Sequence, residues 1–246
     1  EEKKFIPSVS RVNYSGRVFN ADEMQALVRS SLDFWLTLGQ EGKKFEENFS
    51  DYLGVNKTIV CNSGSSANLL AIGALCSDKI DNPLKRGDEV ITTAASFPTT
   101  LAPIIQNSLM PVFVDVELGT YNINPAEIEK ALSKKTRAIV FAHTLGNPAD
   151  MKSIMQIAKE KKLFVLEDTC DALDSKYNNK FVGTFGDVGT FSFYAAHHMT
   201  MGEGGAVITN NPKIARAVTS LRDWGRDCFC KTGEANPNGA CNNRFK

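Results

Sequence analysis

From residue 58 onward, short apolar runs rich in β-branched and aromatic residues alternate with stretches whose apolar positions recur at helical spacing. Seven such runs predict strands at 58–62, 89–94, 111–116, 137–143, 163–168, 188–193 and 205–210. Helical patterns fall between and after them at about 65–76, 99–107, 125–133, 150–162 and 212–222. Start signals such as Asn124-Pro125 and Asn147-Pro148-Ala149-Asp150 mark several of these helices. The runs from 111 to 168 are almost continuously apolar, as strands covered on both faces are, and the intervening helices imply parallel crossovers. The pattern therefore predicts an α/β layered domain with a mostly parallel sheet and helices on both faces. Such sheets place ligands at the carboxyl ends of their strands, so the residues just after each run are where chemistry is expected.

Ahead of the sheet, residues 21–53 read as two helices broken at "TLGQEGKK". Met24, Leu27, Leu32 and Trp35 form the apolar set of the first, Phe45, Phe49 and Leu53 that of the second, and both sets are expected to pack. The organisation expected is an N-terminal helical segment over 1–55, a large α/β domain over 56–225 and a cysteine-bearing loop over 226–246. The last leads toward a small C-terminal domain expected beyond the end of the chain.

Composition narrows the function classes. With 246 residues, 42% of them apolar, the chain can bury a large core. Its 28 basic and 28 acidic residues cancel and are interspersed, which argues against a nucleic-acid footprint. No stretch has the length and apolarity of a membrane span, and "EEKKFIPSVS" lacks the apolar core of a signal peptide, so a cytoplasmic location is expected. In that setting Cys61, Cys76, Cys170, Cys228, Cys230 and Cys241 read as buried thiols or metal ligands rather than a disulfide framework.

Three segments carry candidate chemistry. "CNSGSSANLL" is a small-residue turn opening a helix: Gly64 permits close backbone approach, helix N–H groups attract an anion, and Ser63, Ser65 and Ser66 add hydroxyls. A phosphate cradle and a plain serine cap fit this segment equally well. "LFVLED" ends in Glu167-Asp168, and an acid at a central strand mouth can pair with a protonated ring nitrogen or simply cap the next turn. Ser192, Phe193 and Tyr194 precede adjacent His197 and His198, which cannot form a helical zinc pair because i and i+1 do not share a face.

Together "FWLTLGQEGKKFEENFSDYLGV", "NSGSSAN", "SFPTTLAPI", "HTLGNPADM", "EDTCDALDSKY" and "SFYAAHHMTMGEGGAVITN" resemble the DegT/DnrJ/EryC1/StrS family of sugar aminotransferases. The resemblance covers nearly the whole chain and implies the fold-type-I large domain of pyridoxal-phosphate (PLP) enzymes and a homodimer. It further implies that Gly64, Ser65 and Ser192 bind the cofactor phosphate and that Phe97 stacks on the pyridine ring. Asp168 would pair with the ring nitrogen, and Asp171 would lie near the ring 3-oxygen, with Tyr194 also lining the cofactor. His197 falls on the position of the family's Schiff-base lysine.

A lysine amine holds PLP covalently and shuttles protons, whereas an imidazole does only the second at neutral pH. His197 thus points to non-covalently held pyridoxamine phosphate (PMP) and to elimination of a sugar hydroxyl, whose product needs two electrons from outside. Four cysteines, Cys170, Cys228, Cys230 and Cys241, could supply them through a [2Fe–2S] cluster, although the same set suits structural zinc. "RDWGRDCFC" is similar to the CDP-4-keto-6-deoxyglucose 3-dehydrase branch, except that the loop "KTGEANPNGAC" before Cys241 is longer than that branch implies. The branch implies a nucleotide-linked 4-keto-6-deoxyhexose substrate, lipopolysaccharide sugar synthesis and a separate NAD(P)H-dependent flavin or iron–sulfur reductase. A cluster-free dehydratase of the colitose type, a non-catalytic binding or regulatory protein and a true aminotransferase with a variant histidine are the competing readings.

Overall fold

The computed structural model describes residues 4–226 apart from Tyr14 and Arg17. Helix α1 (Ala21–Leu32) and helix α2 (Gln40–Leu53) precede the sheet. Strands β1 (Lys57–Cys61), β2 (Glu89–Thr93), β3 (Met110–Val114), β4 (Thr136–Ala142) and β5 (Phe164–Asp168) follow, separated by α3 (Gly64–Leu75), α4 (Pro98–Gln106), α5 (Pro125–Ala131) and α6 (Met151–Lys161). A two-stranded hairpin, β6 (Lys176–Tyr177) and β7 (Lys180–Phe181), comes next. Then β8 (Val188–Ser192), β9 (Gly205–Thr209) and α7 (Pro212–Arg222) close the described fold.

All seven expected strands join one sheet in the order β1-β9-β8-β5-β4-β2-β3. Its central pairs are parallel, and β9 runs antiparallel to both β1 and β8. The carboxyl ends of β1, β2, β4, β5 and β8 therefore share one edge. One face is sealed by α3, α4 and α7 through residues such as Ile72, Ile104 and Val218 against Val90, Val140 and Leu166. The other is sealed through Ile128, Ile154 and Ile157 of α5 and α6 against Ile91, Ile139 and Val165. Alternation along the strands divides these residues between two cores, which is why the central runs are apolar throughout.

The N-terminal helices differ from expectation. Phe49 and Leu53 of α2 are buried, and Phe49 meets Phe191 and Phe193 of the sheet edge-on at 5.1 and 5.6 Å between ring centroids. No residue of α1 is buried, and Met24, Leu27, Leu32 and the following Trp35 lie in solvent. That helix is instead defined locally by a capping box, in which Asn20 accepts from Asp22 N–H and Glu23 accepts from Asn20 N–H. Periodicity alone had announced the helix and not its partner. The hairpin was missed because its strands are two residues each; its Asn178-Asn179 corner, with φ of 49° and 63°, is the left-handed pair that a tight hairpin turn requires.

Candidate active site at the carboxyl edge of the sheet

At the end of β1, Ser63 caps α3 by accepting from Ser66 N–H at 3.1 Å. The serine-cap reading is therefore correct for Ser63, while Ser65 is exposed and donates to Thr99 at the start of α4, 3.3 Å away. A Cβ on Gly64 would come within 2.6 Å of Ser192 Cβ and 2.7 Å of Cys170 Sγ, so glycine is needed where the α3 turn meets the ends of β8 and β5. This contact brings Gly64 together with Cys170 and Ser192, each more than a hundred positions further along the chain. The N-terminal turn of α3, one of whose N–H groups is taken by Ser63, and the neighbouring hydroxyls offer donors of the kind a phosphate-sized anion accepts.

Asp168, at the mouth of β5, is buried. Its Oδ2 accepts from Asn68 Nδ2 and Thr100 Oγ1, both at 2.8 Å, and its Oδ1 accepts from Cys170 N–H at 3.2 Å. Thr190 Oγ1 donates to Asn68 Oδ1 at 2.6 Å, which turns the Asn68 amide N–H toward the aspartate. A carboxylate oriented by two side chains from α3 and α4 and one backbone N–H is held ready for a further donor such as a ring N–H. Asn68 and Thr100 were not anticipated; the available hint is that Asn68 lies four residues after Gly64, on the same helical face, beside Ala67, Ala71 and Ile72. Burial pushes the Cys170 thiol well above its ordinary range, with Asp168 adding to the effect.

The return from β8 to β9 carries the histidines. His197 Nδ1 lies 3.2 Å from Asp171 Oδ1, the histidine side chain being 21% and the aspartate 54% exposed. The Tyr194 ring meets His197 edge-on at 6.3 Å, and His197 N–H donates to the Tyr194 carbonyl at 3.0 Å. Phe97 is the N-cap residue of α4, 66% exposed, two residues before the Thr99 that meets Ser65. Cys61 and Cys76 are partly buried thiols pushed up to about 11 by burial, as expected of structural cysteines. Cys228, Cys230 and Cys241 lie outside the described residues. Among the described residues no group of three or more His, Cys, Asp or Glu is arranged to hold a metal ion. No helix among them is long and apolar enough to cross a membrane.

Residues 19–239 match the model of the DegT/DnrJ/EryC1/StrS aminotransferase family. The chain belongs to that family. Its relatives include the lipopolysaccharide biosynthesis protein RfbH of Salmonella typhimurium, 50% identical over 99% of this chain and 55% of that protein. The dTDP-4-dehydro-2,6-dideoxy-D-glucose 3-dehydratase of Saccharopolyspora spinosa is 49% identical over 100% of this chain and 53% of its own. The chain thus spans about half the length of the curated relatives it matches. Among solved structures, a GDP-4-keto-6-deoxymannose-3-dehydratase with a trapped PLP-glutamate geminal diamine superposes with a TM-score of 0.84 at 32% identity, covering 88% of this chain and 56% of that one. The α/β sheet described above is accordingly the large domain of the PLP-dependent aminotransferase fold.

Proposed function

We propose that the protein is a PMP-dependent 3-dehydrase of a nucleotide-linked 4-keto-6-deoxyhexose. The observation that carries this reading is His197, paired with Asp171, on the segment where the family resemblance puts a Schiff-base lysine. The donor set fits the cofactor: the α3 N-terminus with Gly64, Ser65 and Ser192 suits its phosphate, the exposed Phe97 ring suits a pyridine face, and Asp168 suits a protonated ring nitrogen. When bound, PMP supplies an amine that condenses with the keto group and a ring that accepts electrons from the adjoining carbon.

The chain's own residues do the rest. Asp168, aligned by Asn68 and Thr100, keeps a proton on the ring nitrogen. The Asp171 carboxylate lies 3.2 Å from His197 Nδ1 and favours the proton on that nitrogen, which leaves Nε2 as the atom to take the proton in the eliminating step. With no side-chain amine at position 197 to hold the cofactor covalently, retention rests on the phosphate cradle and Asp168.

The finer identity follows the sequence. The CDP-linked sugar is the proposed substrate, with GDP and dTDP sugars as the rivals that the relatives' names supply. Cys170, Cys228, Cys230 and Cys241 would hold a [2Fe–2S] cluster that supplies electrons one at a time, delivered by a separate NAD(P)H-dependent reductase to a homodimeric enzyme. Two measurements test this. Anaerobically purified protein should contain iron with visible thiolate-to-iron absorption, and with PMP, reductase and the CDP sugar it should yield a 3-deoxy product. Turnover supported by glutamate alone, without iron, would select the cluster-free dehydratase, and binding of sugar and cofactor with no turnover would select a non-catalytic protein.

A further inference from the structure

The strand end that carries Asp168 also carries Glu167, whose side chain faces the opposite side of the sheet and is fully buried. Its Oε1 accepts from Phe185 N–H at 2.8 Å and Gly186 N–H at 2.7 Å, and its Oε2 accepts from Gly183 N–H at 2.8 Å and lies 3.1 Å from His143 Nε2. His143, at the exit of β4, is equally buried, and its Nδ1 accepts from Ala149 N–H at 3.1 Å. A ring nitrogen that accepts carries no proton, so the proton of the neutral imidazole is on Nε2 and is donated to Glu167. His143 N–H in turn donates to the Asp168 carbonyl at 3.0 Å.

Glu167 thus ties three segments together: the exit of β4, the end of β5 and the 183–186 turn that feeds β8. The turn is drawn in tightly, since a Cβ on Gly186 would sit 2.6 Å from the Val165 carbonyl and Gly183 has a φ of +86°. β8 pairs with β5 at Leu166, Glu167 and Asp168, with Asp187 N–H donating to the Val165 carbonyl before them and Thr169 N–H to the Thr190 carbonyl after them, and runs from this turn to Ser192. The entry of β8 against β5, held by Glu167 through the turn and by the reciprocal Val165–Asp187 bonds, therefore helps to set how far Ser192 lies from Asp168.

We propose that the buried Glu167–His143 pair is a positioning unit that fixes the spacing between the ring-binding Asp168 and the phosphate-binding Ser192. This rests on the PMP reading above. A ligand that must reach both residues depends on the spacing, and inorganic phosphate, which reaches only the cradle, does not.

The test measures binding of PMP and of inorganic phosphate to the wild type and to Glu167→Gln, His143→Asn and His143→Gln, well below their melting temperatures. Glutamine at 167 offers one oxygen to two pairs of donors. At 143, asparagine retains an acceptor near the Nδ1 position and loses the link to Glu167, and glutamine retains a donor near Nε2. Glu167→Gln and His143→Asn should bind PMP about tenfold more weakly with phosphate affinity unchanged, and His143→Gln should stay close to the wild type. Ile154→Ala, in the α6 core, serves as a destabilised control and should bind PMP normally. The inference is overturned if Glu167→Gln and His143→Asn bind PMP like the wild type, if phosphate affinity falls by the same factor, or if Ile154→Ala shows the same loss. A wild type that binds phosphate and not PMP overturns the cofactor reading, and this inference with it.

Discussion

Two histidine–carboxylate pairs of nearly equal length occupy the carboxyl edge of the same sheet. In His143–Glu167 the atoms are 3.1 Å apart and both side chains are wholly buried; in His197–Asp171 they are 3.2 Å apart with one partner 21% and the other 54% exposed. The first is closed: both imidazole nitrogens have partners, and the carboxylate accepts from three backbone N–H groups as well. A proton there has nowhere to go. The second sits at a mouth, on a segment with no regular structure, where water or a substrate can reach it. The same functional groups suit a strut or an acid–base device according to burial and to what occupies the remaining hydrogen-bonding positions.

The largest effect should come from the closed pair. Glu167→Ala leaves three backbone N–H groups and the His143 Nε2–H without an acceptor, and at about 1–3 kcal/mol each the loss should be at least about 4 kcal/mol in urea denaturation. Asp171→Ala, removing the half-exposed partner of the open pair, should change stability by less than about 0.5 kcal/mol. Equal losses in the two variants would erase the distinction between strut and device.

His197→Asn should reverse the pattern, lowering single-turnover elimination by about 10³-fold while leaving the melting temperature in place. Between the two pairs lies Asp168, and removing one of its orienting donors by Asn68→Ala or Thr100→Val should weaken PMP binding about tenfold in a fluorescence titration. Retained affinity in both variants would mean that the backbone alone aims Asp168.

A smaller loss than that of Glu167→Ala probes how far the closed side extends. Asp150 caps α6 directly after Ala149, whose N–H supports His143, and it accepts from Ser153 and from the Tyr177 hydroxyl. Hydrogen bonds from the Ser153 side chain lead in holding its carboxyl below the ordinary 3.8. Asp150→Ala should cost about 1 kcal/mol at neutral pH. Because the folded-state value is lowered, that contribution is present above 3.8 and is lost as pH falls through the folded value, so wild type and variant should converge in acid. A gap that persists at low pH would assign the cap to the uncharged hydrogen bond alone.

Much was written locally in the chain. Apolar runs bounded by turn residues located every strand of the main sheet, and Gly64, Asp168 and Ser192 could be singled out because they follow or end such runs. Periodicity and capping chemistry act within a few residues, so a single sequence displays them. What it could not display depends on partners far along the chain. That α2 packs and α1 does not, that Asn68 and Thr100 aim Asp168, and that Glu167 finds His143 while Asp168 beside it faces the site were decided by tertiary structure. Alternation along β5 sends two neighbouring carboxylates to opposite faces, but only the assembled sheet determines which face meets a closed turn and which meets an open edge.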